Sequence, residues 1–217
     1  MTPGHPHHND DRYARDRYTE DWRREVERYR RDIVFESTLR GFPFRFTSTW
    51  GLFSPREVDL GTDMLLQEVE VIPSDDCLDL GAGYGPIGLT LARLAPQGET
   101  LMVDRDFVAV EYANRNAEAN RVPNARAMLS NGFADVPEDR RFDLVATNLP
   151  AKVGNEMTTI LFADAYDRMR ADGRFYLVTL SGMRKYIQRT LEEIFGNYEK
   201  VRQGRQHTVH LAVRDER

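Results

Sequence analysis

The sequence predicts an α/β fold in which a seven-stranded, mostly parallel sheet carries helices on both faces. Short apolar runs typical of strands alternate with helical segments between residues 77 and 195, and repeated strand–helix–strand units form parallel sheets. Two further runs in residues 198–213 are separated by Gln203-Gly204-Arg205, which predicts an antiparallel hairpin at the sheet edge. The 217 residues, of which 41% are hydrophobic, suffice for one core of ordinary size.

Two short additions are expected before this core. Residues 1–9 combine Pro and Gly with three histidines, and we expect a disordered tail there rather than a metal site. Residues 10–41 are predicted to form an N-terminal helical extension, with the helix over 10–32. Large side chains recur there at helical spacing, at Tyr18, Trp22, Val26, Tyr29 and Ile33. This helix either docks on the main domain or binds substrate through its arginines and aromatic rings.

Residues 42–217 are predicted to form the main domain. The domain begins with a β-ribbon over 45–53 that turns at Gly51, followed by a helix over 59–70. The parallel strands are predicted at 77–80, 100–104, 125–129, 142–147 and 174–180, and the helices between and after them at 86–94, 107–121, 156–171 and 183–195.

A glycine-rich loop, Gly81-Ala82-Gly83-Tyr84-Gly85, lies where the first core strand is followed by its helix. In an open α/β sheet this position borders the crevice in which ligands bind, and glycine lets a ligand approach the backbone closely. Asp79 would repel a pyrophosphate and attract an amino group, while Pro86 removes an N–H that would hold phosphate. The loop therefore favours an adenosyl cofactor with an amino group and no phosphate, although residues 83–88 also match the dinucleotide pattern G-x-G-x-x-G.

Polar residues after the next two strands complete the predicted cofactor site. Asp104 ends the second strand, 23 residues after Gly81, where a carboxylate can accept hydrogen bonds from both hydroxyl groups of a ribose. Arg105 follows it, and Asn131 after the third strand is predicted to border the adenine or to serve as a turn residue. The other role for an aspartate here, capping the following helix, better suits Asp106.

These motifs resemble those of the class I S-adenosylmethionine-dependent methyltransferases, and within them the "methyltransferase small" domain group, which includes guanine-N2 methyltransferases of small-subunit ribosomal RNA. The more specific signal is Gly51-Leu52-Phe53-Ser54 followed by Asp59-Leu60-Gly61-Thr62. The resemblance implies a Rossmann-like fold, S-adenosyl-L-methionine as cofactor, and contacts of Thr62 and the glycine loop with its methionine moiety. The predicted cofactor site comprises Thr62, Asp79, Gly81, Ala82, Gly83, Gly85, Asp104, Arg105, Asn131 and Asn148.

Asn148-Leu149-Pro150-Ala151 ends the predicted fourth strand, where the family carries Asn-Pro-Pro-aromatic or a relative of it. The resemblance makes Asn148, Leu149 and Pro150 the predicted catalytic segment. The Asn148 side-chain oxygen and the Leu149 carbonyl would accept the two hydrogens of an exocyclic amine, which turns the nitrogen lone pair towards the methyl group without a catalytic base. Leu149 replaces the first proline, and Ala151 replaces the aromatic residue that would stack on the acceptor.

The missing aromatic residue leaves the stacking surface open. Another ring would have to supply it, and Trp50, Phe53 and Tyr84 are the candidates. Each of these rings is also consistent with a packing role.

Composition argues against several other classes of protein and site. Cys77 is the only cysteine, which rules out intramolecular disulfides and Cys-based zinc sites, and we expect it to be buried. The net charge of −5 argues against a protein that coats nucleic acid through its overall field, while a local basic face is compatible with it. We see no metal-binding constellation and no apolar run that would span a bilayer, and we expect a cytoplasmic protein. His207 and His210 are three apart in a predicted strand and therefore point to opposite faces.

The leading interpretation is a methyltransferase that acts on the exocyclic amine of guanine in ribosomal RNA, with ribosomal RNA or a ribosomal particle as its partner. The alternatives are a protein glutamine amide or a small amine as acceptor, a cofactor-binding module without catalysis, and a dinucleotide-dependent oxidoreductase. The oligomeric state stays open. Family members often bind RNA with a second, degenerate domain, for which we expect no room here, so residues 10–50 or a second subunit would take that role.

Overall fold

The computed structural model describes residues 11–150 and 152–215, with side chains from residue 19 onwards. The predicted tail at residues 1–9, the side chain of Tyr18 and Ala151 therefore lie outside the described part. The strands are β1 (Ile33–Leu39), β2 (Phe42–Ser48), β3 (Cys77–Leu80), β4 (Thr100–Asp104), β5 (Ala125–Leu129), β6 (Phe142–Asn148), β7 (Met169–Leu180), β8 (Glu199–Gln203) and β9 (His207–Val213). The helices are α1 (Asp11–Tyr29), α2 (Leu60–Glu68), α3 (Pro86–Leu94), α4 (Phe107–Ala119), α5 (Asn155–Arg168) and α6 (Arg184–Phe195).

The seven strands β3 to β9 form one sheet in the order β5-β4-β3-β6-β7-β9-β8. The first five strands in this order are parallel to their neighbours, and β9 pairs antiparallel with both β7 and β8. The predicted fold class is therefore confirmed, including the antiparallel hairpin at the sheet edge. The chain moves outward from β3 through β4 to β5 and then returns to the other side of β3 as β6, which makes the β3/β6 junction the topological switch point of the sheet.

Helices cover both faces of the sheet. One face packs against α2, α3, α4 and the β1–β2 hairpin through buried side chains such as Leu65, Leu89 and Phe46. The other face packs against α5 and α6 through Phe162 and Phe195. Because both faces are covered, all four residues of β3 are buried, as is typical of central parallel strands.

The region before the sheet differs from the prediction. The helix ends at Tyr29, and Ile33, which was expected on its apolar stripe, begins β1 instead. The predicted ribbon over 45–53 is wrong, because β2 pairs with the preceding strand through a turn at Arg40 and Gly41. Both turn residues have positive φ values, 51° and 83°, which matches the twist of a two-residue hairpin. The hairpin thus crosses the boundary expected between residues 10–41 and the main domain.

Aromatic packing joins the hairpin to the glycine loop. The rings of Phe35 and Phe46 lie 5.7 and 5.4 Å from the ring of Tyr84, both in edge-on geometry. Such pairs contribute roughly 0.5–1.5 kcal/mol each beyond the area that they bury. The hairpin is therefore part of the main core on the side that carries the loop.

The open edge of β2 is closed by Asn116 of α4 and by Asn120, which directly follows this helix. The Asn116 side chain accepts a hydrogen bond from Thr47 N and donates to Thr47 O and to Tyr84 O, at 2.8 to 2.9 Å. One turn later, Asn120 makes the same pair of bonds with the backbone of Arg45, at 2.9 Å. These amides replace the peptide groups of a neighbouring strand and attach the hairpin to the sheet domain.

The described side chains of α1 do not support the predicted docking of this helix on the main domain. Trp22 is 62% exposed, and Tyr29 meets the ring of Trp50 edge-on at 5.7 Å between ring centroids. The segment after the helix is anchored, because Asp32 accepts a hydrogen bond from Arg115 of α4 at 2.7 Å. The substrate-binding interpretation of the helix stays a prediction.

Two smaller expectations, the burial of Cys77 and the opposite orientations of His207 and His210, are met. Burial of Cys77 raises the pKa of its thiol to about 12. His210 is buried and within hydrogen-bond distance of Thr179 Oγ1, whereas His207 lies on the opposite face of β9, beside Gly61 of α2. Of the helices in the described part of the chain, none is long and apolar enough to cross a membrane.

Candidate active site

The sheet places the predicted site residues in one row. Strands β5, β4, β3 and β6 are parallel neighbours, so their carboxyl ends lie at the same edge of the sheet. Across this edge stand Asn131 after β5, Asp104 at the end of β4, the glycine loop after β3, and Asn148 at the end of β6. The row therefore runs from the predicted adenine end to the predicted methyl acceptor, and it crosses the switch point at which ligands bind in such sheets.

The backbone of the glycine loop is already hydrogen-bonded within the protein. The N–H groups of Gly81 and Ala82 donate to Val103 O at 2.9 and 3.0 Å, and Gly83 N donates to Asp104 Oδ2 at 2.9 Å. Gly81 and Gly83 have φ values of +81° and +56°, which L side chains rarely adopt. A phosphate would need these N–H groups, so the loop favours a cofactor without phosphate at this position over a dinucleotide.

Asp104 is held by the backbone on both oxygens. Oδ2 accepts from Gly83 N, and Oδ1 accepts from Asp106 N at 2.9 Å. An ionised carboxylate has about four lone-pair positions, so two remain for a diol such as that of ribose. Asp106 caps α4 by accepting from Val108 N, as the sequence predicts. Arg105 is exposed beside this carboxylate.

Asn131 lies at the end of the row. It is exposed in the loop after β5, and its carbonyl accepts a hydrogen bond from Ala134 N at 3.3 Å. The backbone of Asn131 therefore forms a turn, and its exposed side chain is accessible to a ligand. Its contact with adenine stays a prediction.

Asp79 is completely buried beneath the loop. Its Oδ2 accepts from Gly88 N of α3 at 2.7 Å, and its Oδ1 has no hydrogen-bond partner among the described residues. Burial raises the pKa of this carboxyl to about 7, against the opposing effect of the Gly88 hydrogen bond. A buried oxygen without a partner fits the amino group that Asp79 was predicted to attract. The bond to Gly88 adds a structural role that the sequence did not predict.

Asn148 makes the most specific contacts of the row. Its side-chain nitrogen Nδ2 donates to Asp59 Oδ2 and to Thr62 Oγ1, each at 3.0 Å. Both acceptors belong to the start of α2, where Asp59 caps the helix by accepting from Gly61 N and Thr62 N. With both hydrogens of the amide in use, its oxygen is the group that remains for an incoming donor.

The backbone after Asn148 continues the strand pairing by one residue. Leu149 N donates to Val178 O of β7 at 3.0 Å, and the Leu149 side chain is buried against the α5 and α6 side of the core. The departure from proline at this position thus supplies a core side chain and an extra strand hydrogen bond. Pro150 is exposed and accepts from Val153 N at 3.2 Å. Ala151, the second departure, lies outside the described residues.

Of the three rings proposed for stacking, the structure removes one. Tyr84 is buried against the hairpin, and its hydroxyl donates to Glu57 O at 3.0 Å. Trp50 and Phe53 are exposed, and the guanidinium of Arg56 lies 4.5 Å from the centre of the Trp50 ring. Trp50 and Phe53 therefore stay as candidates.

The sequence assigns no role to Asp59, which the structure brings into contact with Asn148. The motif that contains Asp59 gives a predicted role only to Thr62. An aspartate directly before a helix is a typical cap, and that signal predicts the bonds to Gly61 and Thr62. The bond to Asn148 joins residues 89 apart and has no local signal. Among the described residues, no cluster of His, Cys, Asp or Glu could hold a metal ion.

Comparison with known proteins decides the family. The sequence profile described as "Methyltransferase small domain" matches residues 43–210. The chain belongs to this family. The match begins in β2 and ends in β9, so it includes the hairpin strand, the start of α2 and the whole row of site residues.

Individual proteins of known sequence or structure are also similar to this chain. The "Uncharacterized protein YbxB" of Bacillus subtilis is 35% identical over 72% of this chain and 79% of its own length. Ribosomal RNA small subunit methyltransferase C of Hamiltonella defensa is 31% identical over 75% of this chain. A solved Thermus thermophilus 16S rRNA N2 methyltransferase (RsmC), in complex with AdoMet and guanosine, superposes with a TM-score of 0.77 at 29% identity over 84% of this chain. The chain covers 48% and 50%, respectively, of the last two proteins.

These findings confirm the predicted methyltransferase class and S-adenosyl-L-methionine as its cofactor. The dinucleotide-dependent oxidoreductase is thereby set aside, in agreement with the occupied N–H groups of the glycine loop. The roles of the individual site residues stay predictions.

Proposed function

We propose that this chain is an S-adenosylmethionine-dependent N-methyltransferase that acts on the exocyclic amine of guanine in ribosomal RNA. The observation that carries the proposal is the Asn148 amide, whose nitrogen is bonded to Asp59 and Thr62 and whose oxygen remains as an acceptor. Support for RNA comes from relatives named as ribosomal RNA methyltransferases, and support for guanine from the guanosine in the T. thermophilus RsmC complex.

The chemistry requires an amine that is oriented rather than deprotonated. Bound S-adenosylmethionine would supply a methyl group on a sulfonium; transfer would break the C–S bond, form the N–C bond, and leave a proton on the nitrogen for release to solvent. An exocyclic amine is planar and poorly nucleophilic. Asn148 Oδ1 and the Leu149 carbonyl, by accepting its two hydrogens, would hold the nitrogen lone pair towards the methyl group.

The remaining residues would hold the cofactor. Asp104 has lone pairs left for the two ribose hydroxyls, and Asn131 stands at the adenine end of the row. Thr62 Oγ1 accepts from Asn148, so its own hydroxyl hydrogen is left to donate to a carboxylate of the methionine moiety. The buried Asp79 oxygen without a partner would receive the amino group.

RNA would approach along the segment that leads to Asp59. Here Trp50 is partly exposed beneath Arg56, Phe53 is 66% exposed, and Leu60 beside Asp59 is 72% exposed. Aromatic rings and arginine together provide stacking surfaces and charge for single-stranded nucleotides. The C-terminal end of α1, which carries Arg28, lies near this segment, because Tyr29 contacts Trp50.

The test is transfer of radiolabelled methyl groups from S-adenosylmethionine to ribosomal particles and to deproteinised ribosomal RNA, both from cells that lack this protein. The labelled product is digested separately with nuclease and protease. We expect nuclease-sensitive label in guanine, strongly reduced with the Asn148→Ala protein. Protease-sensitive label would overturn the RNA assignment in favour of a protein amide. Cofactor binding without any labelled product would favour a binding module.

A further inference from the structure

Asp59 makes more contacts than a helix cap requires. Its Oδ2 accepts from Gly61 N at 2.8 Å and Thr62 N at 3.3 Å, which are the usual bonds of a cap, and additionally from Asn148 Nδ2 at 3.0 Å. The same oxygen thus connects the start of α2 with the end of β6. By contrast, Asp106, the cap of α4, accepts from Val108 N, and within the described part of the chain its side chain makes no hydrogen bond to Asn148.

These contacts allow only one orientation of the Asn148 amide. Thr62 can either donate or accept through its hydroxyl, so it tolerates the amide nitrogen or the amide oxygen. An ionised carboxylate can only accept, and rotation of the amide would place its oxygen against Asp59 Oδ2 without a hydrogen between them. Asp59 is therefore the contact that discriminates between the two orientations.

We infer that Asp59 is a positioning residue of the acceptor site, which acts on the methyl acceptor through Asn148. The inference rests on the proposed transfer to an amine nitrogen. With Nδ2 turned to Asp59, the Asn148 oxygen is presented to the acceptor hydrogens before the acceptor arrives. The carboxylate charge also polarises the amide and strengthens its oxygen as an acceptor while positive charge develops on the nitrogen.

Three variants separate this role from helix capping. Asp59→Ala removes the cap and the bond to Asn148, and Asp59→Asn retains an oxygen for both but removes the charge. Asp63→Ala is the matched control, because Asp63 also stabilises the start of α2, through its charge in the first turn and a hydrogen bond from Gln67 Nε2 at 2.7 Å, and it has no role in the proposed site. We expect kcat to fall ~10- to 100-fold in Asp59→Ala with little change in the affinity for S-adenosylmethionine, to recover partly in Asp59→Asn, and to stay near the wild-type value in Asp63→Ala.

The measurements keep this inference apart from the proposed function. Kinetics use whichever acceptor the wild-type protein labels, so a protein acceptor would overturn the RNA assignment and still test Asp59. The side-chain ¹H–¹⁵N signals of Asn148 provide a readout without any acceptor, and we expect faster hydrogen exchange of this amide in Asp59→Ala than in Asp63→Ala. Equal exchange in the two variants, or equal loss of kcat in both, would show that Asp59 acts only by stabilising the start of α2.

Discussion

The two edges of the sheet contain similar numbers of aspartates but satisfy them in different ways. At the amino-terminal edge, Asp75 and Asp76 precede β3 and Asp143 lies at the start of β6. Asp75 pairs with Arg174 at 2.7 Å, and Arg170 pairs with both Asp76 and Asp143. Each carboxylate there has an arginine partner, so the charges largely cancel within the protein.

At the carboxyl-terminal edge, the aspartates are satisfied by neutral donors. Asp59 accepts from two backbone N–H groups and from Asn148, Asp79 accepts from a backbone N–H, and Asp104 accepts from two. None of the ion pairs found among the described residues includes Asp59, Asp79 or Asp104. The aspartates at this edge are therefore not neutralised by arginine at the place where the sulfonium and amino groups of the cofactor would lie.

The difference separates stability from binding. An ion pair between partly buried groups leaves little field outside, and the loss of one partner destabilises the fold because the other charge is left unpaired. Carboxylates oriented by N–H groups keep both their charge and spare lone pairs, which is what a cationic ligand with a diol requires. The largest effects on function are expected at the carboxyl-terminal edge, and effects confined to stability at the other.

The sharpest test within the carboxyl-terminal edge is Asn148→Ala. Asn148 is the member of the row that is proposed to contact the acceptor, so its loss should slow methyl transfer by ~10²-fold or more. Cofactor affinity, measured by titration calorimetry, should remain close to that of the wild type. Asn114→Ala is the control, because Asn114 also joins a helix to a strand, through both N and O of Ala127, at a distance from the acceptor. Transfer at the wild-type rate by Asn148→Ala would remove Asn148 from the mechanism.

The second test compares one aspartate from each edge. Asp104→Ala removes the proposed acceptor of two ribose hydroxyls, and we expect affinity for S-adenosylmethionine to fall ~10- to 100-fold, as for the loss of charged hydrogen bonds. The matched variant is Asp143→Asn, since Asp143 also accepts a backbone N–H, that of Asp76 at 2.8 Å. Thermal unfolding should reveal a less stable protein in the second case, with unchanged affinity. Similar losses of affinity in both variants would contradict the division between the edges.

The sequence predicts the carboxyl-terminal edge well where the signals are local. The ranges predicted for β3, α3, β4 and β5 coincide with the observed ones, because short apolar runs bounded by Gly, Pro and Asp determine them. The glycine loop and Asp104 follow from the same pattern. In these elements the local conformational preference agrees with the final packing, so local sequence signals are sufficient to predict them.

The parts that were not predicted depend on contacts between distant residues. Ile33 fits a helical stripe by its spacing, whereas the strand that it begins is stabilised by pairing with β2 and by packing of Phe35 on Tyr84. Asn116 is an ordinary helical residue by sequence, yet it bonds the edge of β2 from 69 residues away. The Asp59–Asn148 bond has the same character. Such polar contacts become visible only when the elements have been placed together.

The smallest effect on cofactor affinity is expected at Asp79. Because the charge of this residue depends on pH, it tests the difference between the two edges of the sheet without a large change in structure. Burial raises the pKa of its carboxyl to about 7 in the free protein, above the value of roughly 3.9 in an unfolded chain. The folded state therefore holds a proton that the unfolded state releases, and stability should fall as the pH rises between these values. In urea unfolding, the free energy of unfolding of Asp79→Asn should not show this fall with rising pH.

The same titration predicts how the cofactor binds. If the ionised Asp79 receives the amino group, affinity should rise roughly tenfold from pH 5.5 to 7.0, a range in which an α-amino group keeps its proton. In Asp79→Asn the affinity should be nearly constant over this range. Methylthioadenosine, which lacks the amino group, is the control ligand and should bind the wild-type protein equally at both pH values. A tenfold rise for this ligand as well would place the titrating group elsewhere in the site and leave Asp79 with only its bond to Gly88.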